Sequence, residues 1–355
     1  MARKATALDV ARLAGTSRSA VSMVLNGRAE GSVAREAQVR IREAARQLDY
    51  RPNQVARSLR DRRSHVVGLV SGNAVTSAFD GAIIAGANAL AERFGFLTLA
   101  TDTEQDEERT VGAVRTLLDR TVDALIFLTS GLNTIVVPEE CRAVPSALAN
   151  CFPGEPPASR FPAFIPDEVQ GGADAARHLI GLGHARIAFL GGTMTTPAVS
   201  WREQGFREAM LAAGLPVRED WVHRAGWDIA SGHAAAVRVL DGPADERPTA
   251  LIAANDRAAV GMVLAAASLG LRVPGDVSIV GYDDEQRLAD QMVPALTTVA
   301  LPQRRMGEEA MRAVLLGVGL DAGDAPDLRT LPGAPDVRLV PCVLRERHST
   351  APPTP

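Results

Sequence analysis

The chain changes character near residue 65, and that break limits what it can fold into more than any other feature. Met1 to His65 hold 14 Lys and Arg against 6 Asp and Glu, a balance of +8; the whole chain sums to −4, so the remainder carries −12. A small basic module joined to a large acidic body suits a polyanion reader attached to a part that controls it. At 355 residues the chain exceeds one core of ordinary size and fits such a module plus a two-part globular body. No run of about 18 uncharged apolar residues is present to span a bilayer. The charged start Met1-Ala-Arg-Lys-Ala lacks the apolar stretch of an export signal, which predicts a cytoplasmic protein. Cys141, Cys151, Cys342 and six scattered histidines match no ligand spacing, so the cysteines are expected as free thiols, with no metal and no cofactor.

Within the basic module, Thr6-Ala-Leu-Asp9 has capping-box spacing, predicting a helix from Ala7 that buries Leu8, Val10, Ala11 and Ala14. Gly15 supplies the left-handed turn that ends it. Ser17 can cap a second helix with Val21, Val24 and Leu25 inward and Arg18, Ser19, Ser22 and Met23 on its other faces. Two short helices around such a turn form a helix-turn-helix, whose exposed Arg and Ser suit base edges in a major groove. A helical hairpin with a solvated polar face is the bland alternative. Ser32 is expected to cap a third helix that closes the core with Ile41, Ala44, Ala45 and Leu48, and Pro52 stops it. The stretch Gln54 to Arg60 is amphipathic, and Leu59 has no core of its own to enter.

Asp9-Val-Ala-Arg-Leu-Ala-Gly-Thr-Ser17, Ala20-Val-Ser-Met-Val-Leu-Asn26-Gly27, Tyr50-Arg-Pro-Asn53 and Ala56-Arg-Ser-Leu59 together resemble the DNA-binding module of the lactose-repressor (LacI/GalR) family of bacterial transcription regulators. The resemblance implies a DNA-contacting set of Thr6, Ser17, Arg18, Ser19, Ser22, Met23, Asn26, Tyr50, Asn53, Ala56, Arg57 and Leu59. In it Arg18 and Ser19 read bases, and Leu59, on a hinge helix, wedges into a minor-groove step. Met23 departs from the Arg or Lys usual in the family, so the half-site sequence is not carried over.

Beyond His65, apolar runs alternate with helical patterns. Strands are expected at about residues 66–70, 96–100, 124–128, 146–149, 186–190, 250–253 and 277–280. Helices are expected at about 79–93, 107–120, 170–182, 202–213, 230–240 and 257–269. This alternation predicts two parallel-sheet α/β lobes. Ligands of such lobes sit at the carboxyl ends of strands, where Asn150, Asn255-Asp256, Asp283-Asp284, Arg202 and Trp227-Asp228 fall. Turn and cap duty explains each of these singly.

Pro166-Asp167, His178 through Ile187, Arg202-Glu-Gln-Gly-Phe206, Ala253-Ala-Asn-Asp256, Val273 through Asp284 and Pro294 through Val299 resemble the same family's effector domain, which is periplasmic-binding-protein-like. The resemblance covers about Thr6 to Arg345. It implies an effector set of Asn73, Phe79, Asp80, Asn150, Arg202, Trp227, Asn255 and Asp283. Asn150 replaces a common Asp, and Leu301 replaces a polar residue of some sugar-responsive members.

The expected fold is therefore an all-α helix-turn-helix headpiece (1–52), a hinge (53–65) and a two-lobed α/β effector and dimerisation domain (66–345), with a disordered tail at 346–355. The N-lobe would take about 66–166 and 300–330, and the C-lobe about 167–298 and 331–345. The expected function is a homodimeric repressor of carbohydrate genes. It would bind a pseudo-palindromic double-stranded operator under allosteric control by a small molecule, most simply a sugar. A purine or phosphorylated effector is the alternative. A sugar-binding protein without a DNA role disagrees with the basic module, and catalysis lacks any nucleophile-and-base constellation. Arg202→Ala or Asp283→Ala is expected to abolish the effector response and spare effector-free DNA binding.

Overall fold

The computed structural model of the chain describes residues 5–25, 29–50, 63–72, 77–154, 161–192, 196–323 and 326–354. It divides into two compact units, Met1–Ser64 and His65–Pro355. The first holds helices α1 (Ala7–Ala14), α2 (Arg18–Leu25) and α3 (Arg35–Gln47). Both halves of the Thr6/Asp9 capping box are made, and Gly15 leaves α1 at φ 61°. Ser17 accepts the Ala20 amide at 3.1 Å. Val10, Ala11, Ala14, Val21, Val24, Ile41, Ala44 and Ala45 form one core, with Leu48 and Tyr50 against its edge.

Two local expectations fail. Leu8 is 55% exposed, because at 3.6 residues per turn it lies roughly 110° from the middle of the Val10–Ala11–Ala14 stripe. Ser32 does not cap α3: the cap position is Ala34, which makes no side-chain cap bond.

The second unit contains two sheets. The first runs in the order β11-β12-β5-β4-β3-β1-β2, from β1 (Val66–Ser71), β2 (Leu97–Asp102), β3 (Ala124–Ile135), β4 (Ser146–Pro153), β5 (Ala163–Pro166), β11 (Thr330–Leu331) and β12 (Ala334–Val340). The second runs β13-β10-β9-β8-β6-β7, from β6 (Ile187–Leu190), β7 (Val222–His223), β8 (Ala250–Ala253), β9 (Ser278–Asp283), β10 (Thr297–Ala300) and β13 (Val343–Arg345). Their strands are parallel except where β11 meets β12 and β13 meets β10. Alternate residues enter the cores on opposite faces: Leu69, Ile126 and Ala147 on one side of the first sheet, Val70, Leu125 and Phe127 on the other. Burial on both faces is why these strands read as unbroken apolar runs.

The chain crosses between lobes after β5, after β10 and after β12. The third crossing was expected near residue 330, with 331–345 in the C-lobe. Instead β12 pairs in parallel with β5, Val337 to Val340 lying against Ala163 to Pro166. That ladder satisfies the edge of the first sheet and buries Val337 and Val340. The second crossing likewise falls after Ala300, since β10 pairs with β9 as far as Asp283.

Helices α4 (Ala78–Arg93), α5 (Glu107–Asp119) and α10 (Gln303–Gly317) flank the first sheet; α6 (Glu168–Gly181), α7 (Pro197–Ala212), α8 (Ile229–Leu240) and α9 (Asp256–Ser268) flank the second. Three helix pairs meet backbone to backbone through reciprocal glycines. These are Gly86 and Gly307 for α4 and α10, Gly172 and Gly205 for α6 and α7, and Gly232 and Gly261 for α8 and α9.

The tail, expected to be disordered, is docked on the C-lobe. Ser349 is fully buried; its hydroxyl donates to Ile279 O at 2.6 Å and accepts the Thr297 amide at 2.8 Å. His184 Nε2 lies 2.9 Å from Ala351 O and His178 Nε2 lies 3.0 Å from Thr350 Oγ1. Arg347, Ser349, Thr350 and Ala351 reach partners on β9 and β10, and these bonds overcome the tail's polar, Pro-rich composition. Burial lowers the pKa of both histidines. A histidine depressed on folding stabilises the fold above its unfolded pKa, and that contribution is lost as pH falls through its folded value. The two histidines should therefore subtract stability between about pH 7 and pH 5, so that the His178→Gln, His184→Gln double variant loses less melting temperature over that range than the wild type. An unchanged slope would place the titration elsewhere.

Candidate functional site

In the first unit, Arg18 and Ser19 open α2 and are exposed, while Ser22 and Met23 are half-buried one turn later. The hydroxyls of Thr6 and Ser17 are engaged in caps. Tyr50 packs on the three-helix core. Asn26, Asn53, Ala56, Arg57 and Leu59 lie outside the described residues, as does Asn73 in the second unit.

The second unit has a cleft of about 780 Å³ between its lobes, within the range of small-molecule sites. Phe79, Asn150, Arg202, Trp227, Asn255 and Asp283 all line it. Asp80 does not. It is fully buried at the start of α4 and accepts the Ser71 hydroxyl at 2.5 Å, tying helix to strand. Asn150 lies within β4, which continues past it to Pro153. There the β3–β4 register shifts and Asn150 takes φ 60°, a conformation that Asn tolerates better than most residues. Its amide donates to Thr129 O at 2.7 Å. Asn255 is the cap of α9: Oδ1 accepts the Ala258 amide at 2.8 Å and Nδ2 donates to Trp227 O at 3.0 Å. Cap duty and cleft position thus coincide, since Asn255 both starts the helix and fixes the strand-end loop that carries Trp227.

Arg202 is 4% exposed and held on every side. Nε and Nη2 donate to the two Glu168 oxygens at 2.8 and 2.9 Å, Nη1 donates to Ala254 O, and the guanidinium lies 3.7 Å from the Tyr282 ring centroid. Asp283 is 3.7 Å away. Burial opposes the charge on Arg202, but Glu168 overcompensates and raises its pKa. Burial likewise pushes the Asp283 carboxyl well above the usual carboxylate range, with Arg202 opposing. Neighbouring charges are paired as well: Arg257 with Glu285 at 2.8 Å and Asp284 with Arg347 at 2.7 Å. The cleft therefore presents amides, hydroxyls, one carboxyl and the Trp227 and Phe79 rings over a wall of largely paired charge, with exposed Arg345 at its edge.

Sequence reading missed Glu168, whose signal was available: a charged residue just past a strand end, like the positions already singled out. It also missed Ser77, Thr196 and Gln303, which line the cleft from helix starts, and Ser130, which lines it from the far part of β3. Arg345, on β13, completes the rim.

Residues 6–53 match the profile of bacterial regulatory proteins of the lacI family, and residues 176–350 match the periplasmic binding protein-like domain. The chain is 33% identical over 313 residues to the HTH-type transcriptional repressor PurR of Vibrio cholerae, covering 88% of this chain and 90% of that one. It is 32% identical to the HTH-type transcriptional regulator DegA of Bacillus subtilis, covering 87% and 90%. Among solved structures, the lac repressor dimer bound to operator and the anti-inducer ONPF superposes with a TM-score of 0.71 at 26% identity, covering 98% of this chain and all of that one. The transcriptional regulator CelR in complex with cellobiose gives 0.64 at 28% identity, covering 97% and 99%.

Proposed function

Because the chain belongs to the lacI family of bacterial regulatory proteins, and so is a DNA-binding transcriptional regulator, we propose that it is a cytoplasmic, homodimeric repressor of carbohydrate genes whose operator affinity is set by a neutral sugar. The observation that carries the effector class is the charge pairing in the cleft. With Arg202, Arg257 and Asp284 each neutralised by a neighbour, an incoming ligand meets mainly hydrogen-bonding groups and an aromatic face, with the Arg345 cation at the rim. That surface suits hydroxyl rims and the apolar side of a pyranose. The cellobiose complex of CelR is consistent with it. A purine is the second reading: stacking on Trp227 or Phe79, with ring nitrogens on Asp283 and Asn150, uses the same groups.

Edge strand β2 shows Leu97 and Leu99 to solvent, apolar surface that a second copy would cover. A dimer presents two headpieces to a pseudo-palindromic operator. Effector binding then biases one equilibrium shared by cleft and headpieces.

Melting the full chain with neutral mono- and disaccharides, sugar phosphates and purines tests the class, since a ligand at 100 times its Kd adds about 2.7 kcal/mol. Stabilisation by a neutral sugar, with a matching change in operator affinity, is the expected result; response to purines or phosphates alone would reject it. At the DNA side, Arg18→Ala should cost about 1–3 kcal/mol and relax preference at one base position. Unchanged discrimination in a binding-site selection would remove Arg18 from base reading.

A further inference from the structure

We propose that Arg347, on the docked C-terminal tail, is a positioning residue of the cleft: it latches the Asp283–Asp284 corner in the conformation that presents the Asp283 carboxyl group. The proposal rests on the reading of the cleft as the effector site.

The corner needs a latch. Asp283 stands at φ 108° and Asp284 at φ 52°, two successive non-glycine residues in backbone that L side chains rarely adopt. Such conformations persist only where the surroundings over-determine them. The β9–β10 ladder ends at the Asp283–Ala300 pair, and the Leu301 amide reaches Asp283 O only at 3.4 Å. Three shorter contacts do the holding, one of them the Arg257–Glu285 pair at 2.8 Å. The Glu285 amide donates to buried Asp256 at 2.7 Å, and Arg347 grips Asp284.

Arg347 is more than a surface partner. Nη2 donates to Asp284 Oδ1 at 2.7 Å while Nη1 donates to Leu296 O at 2.8 Å, so one planar group bridges the corner to the segment entering β10. Its own amide donates to Thr297 Oγ1 at 2.9 Å, and Ser349 is buried two residues on. The guanidinium thus works from a fixed base. Even a half-buried ion pair contributes little when either partner is free to move; with the guanidinium also tied to the Leu296 carbonyl, its geometry is imposed. Docking of the tail, the grip on Asp284 and the aim of Asp283 form one mechanical chain, and Asp283 and Asp284 both line the cleft.

Hydrogen exchange by mass spectrometry on the full-length protein tests this without a ligand, in Arg347→Ala, Arg347→Lys, Asp284→Ala and the Arg347→Ala, Asp284→Ala double variant. In Arg347→Ala, exchange at the Glu285 amide should accelerate about tenfold or more while the β8 and β9 core amides and the melting temperature stay near wild type. Arg347→Lys should restore part of the protection, and the double variant should exchange no faster at Glu285 than the faster single one. Wild-type protection of the corner in Arg347→Ala would overturn the proposal, as would a loss spread evenly over the C-lobe. The effector reading fails separately, through Asp283→Ala keeping a full ligand response in the operator titration, a measurement the exchange experiment does not use.

Discussion

Glu168→Ala is expected to destabilise the effector body by about 3–5 kcal/mol, the cost of leaving a buried charge without its partner. Arg202 is 4% exposed and Glu168 2% exposed, so water cannot replace the lost carboxylate. The Tyr282 face is still in contact, but a cation over an aromatic ring contributes on the order of 2 kcal/mol when desolvated, less than the loss. Arg202→Ala should be comparably destabilising, because it strands Glu168. This alters the expectation drawn from sequence, in which Arg202→Ala abolishes the effector response and spares effector-free DNA binding. Asp283→Ala is the cleaner variant for that purpose, since Asp283 only approaches Arg202, at 3.7 Å. Glu168→Met with Arg202→Met, which removes both charges and keeps the volume, should cost far less than the two single changes together. Urea unfolding of the four proteins checks the argument. Additive single and double effects would show that the pair is not coupled.

Gly205→Ala should destabilise by about 2 kcal/mol or more, against the local preference of the helix. Alanine is favoured over glycine inside a helix by roughly 1 kcal/mol, so propensity alone predicts a gain. A Cβ at Gly205, however, would stand 1.9 Å from Val169 O and 2.6 Å from the Ala173 amide. Neither is a side chain that can rotate away, and overpacking of this kind costs typically 1–3 kcal/mol. Gly172→Ala should behave alike, with its Cβ 2.1 Å from Arg202 O. It should also shift Arg202 relative to Glu168, weakening effector binding beyond what stability explains. Gly112 on α5 is the control: nothing lies within 4 Å of its Cβ position, so Gly112→Ala should raise the melting temperature. A Gly205→Ala protein as stable as Gly112→Ala would show that α6 and α7 separate at little cost.

Part of the cleft was legible because several of its residues follow apolar runs, and those runs mark the strands. Asn150, Arg202, Trp227, Asn255 and Asp283 stood out there by position; their assignment to a pocket, and that of Phe79, followed from the family resemblance, and all six line the cleft. What each does was not legible. Asn255 looks alike as a helix cap or as a ligand contact, and it is a cap that also fixes Trp227. Arg202 reads as a free cation until Glu168, 34 positions earlier, is seen to occupy it. Asp80 matched the resemblance, yet its carboxylate is buried against Ser71.

By itself the sequence determined the capping box of α1, the left-handed turn at Gly15, the three-helix core, the alternation of strands and helices and the basic headpiece on an acidic body. These depend on neighbours within a few positions, where backbone geometry and burial leave a period or a turn residue as a trace. Tertiary structure alone decided that β12 joins the first sheet, that the polar tail docks through Ser349 and Arg347, and that paired glycines bring α6 against α7. Each is a pairing across many residues, settled by which surfaces meet once the lobes have formed, and such a choice leaves no periodic mark on the chain.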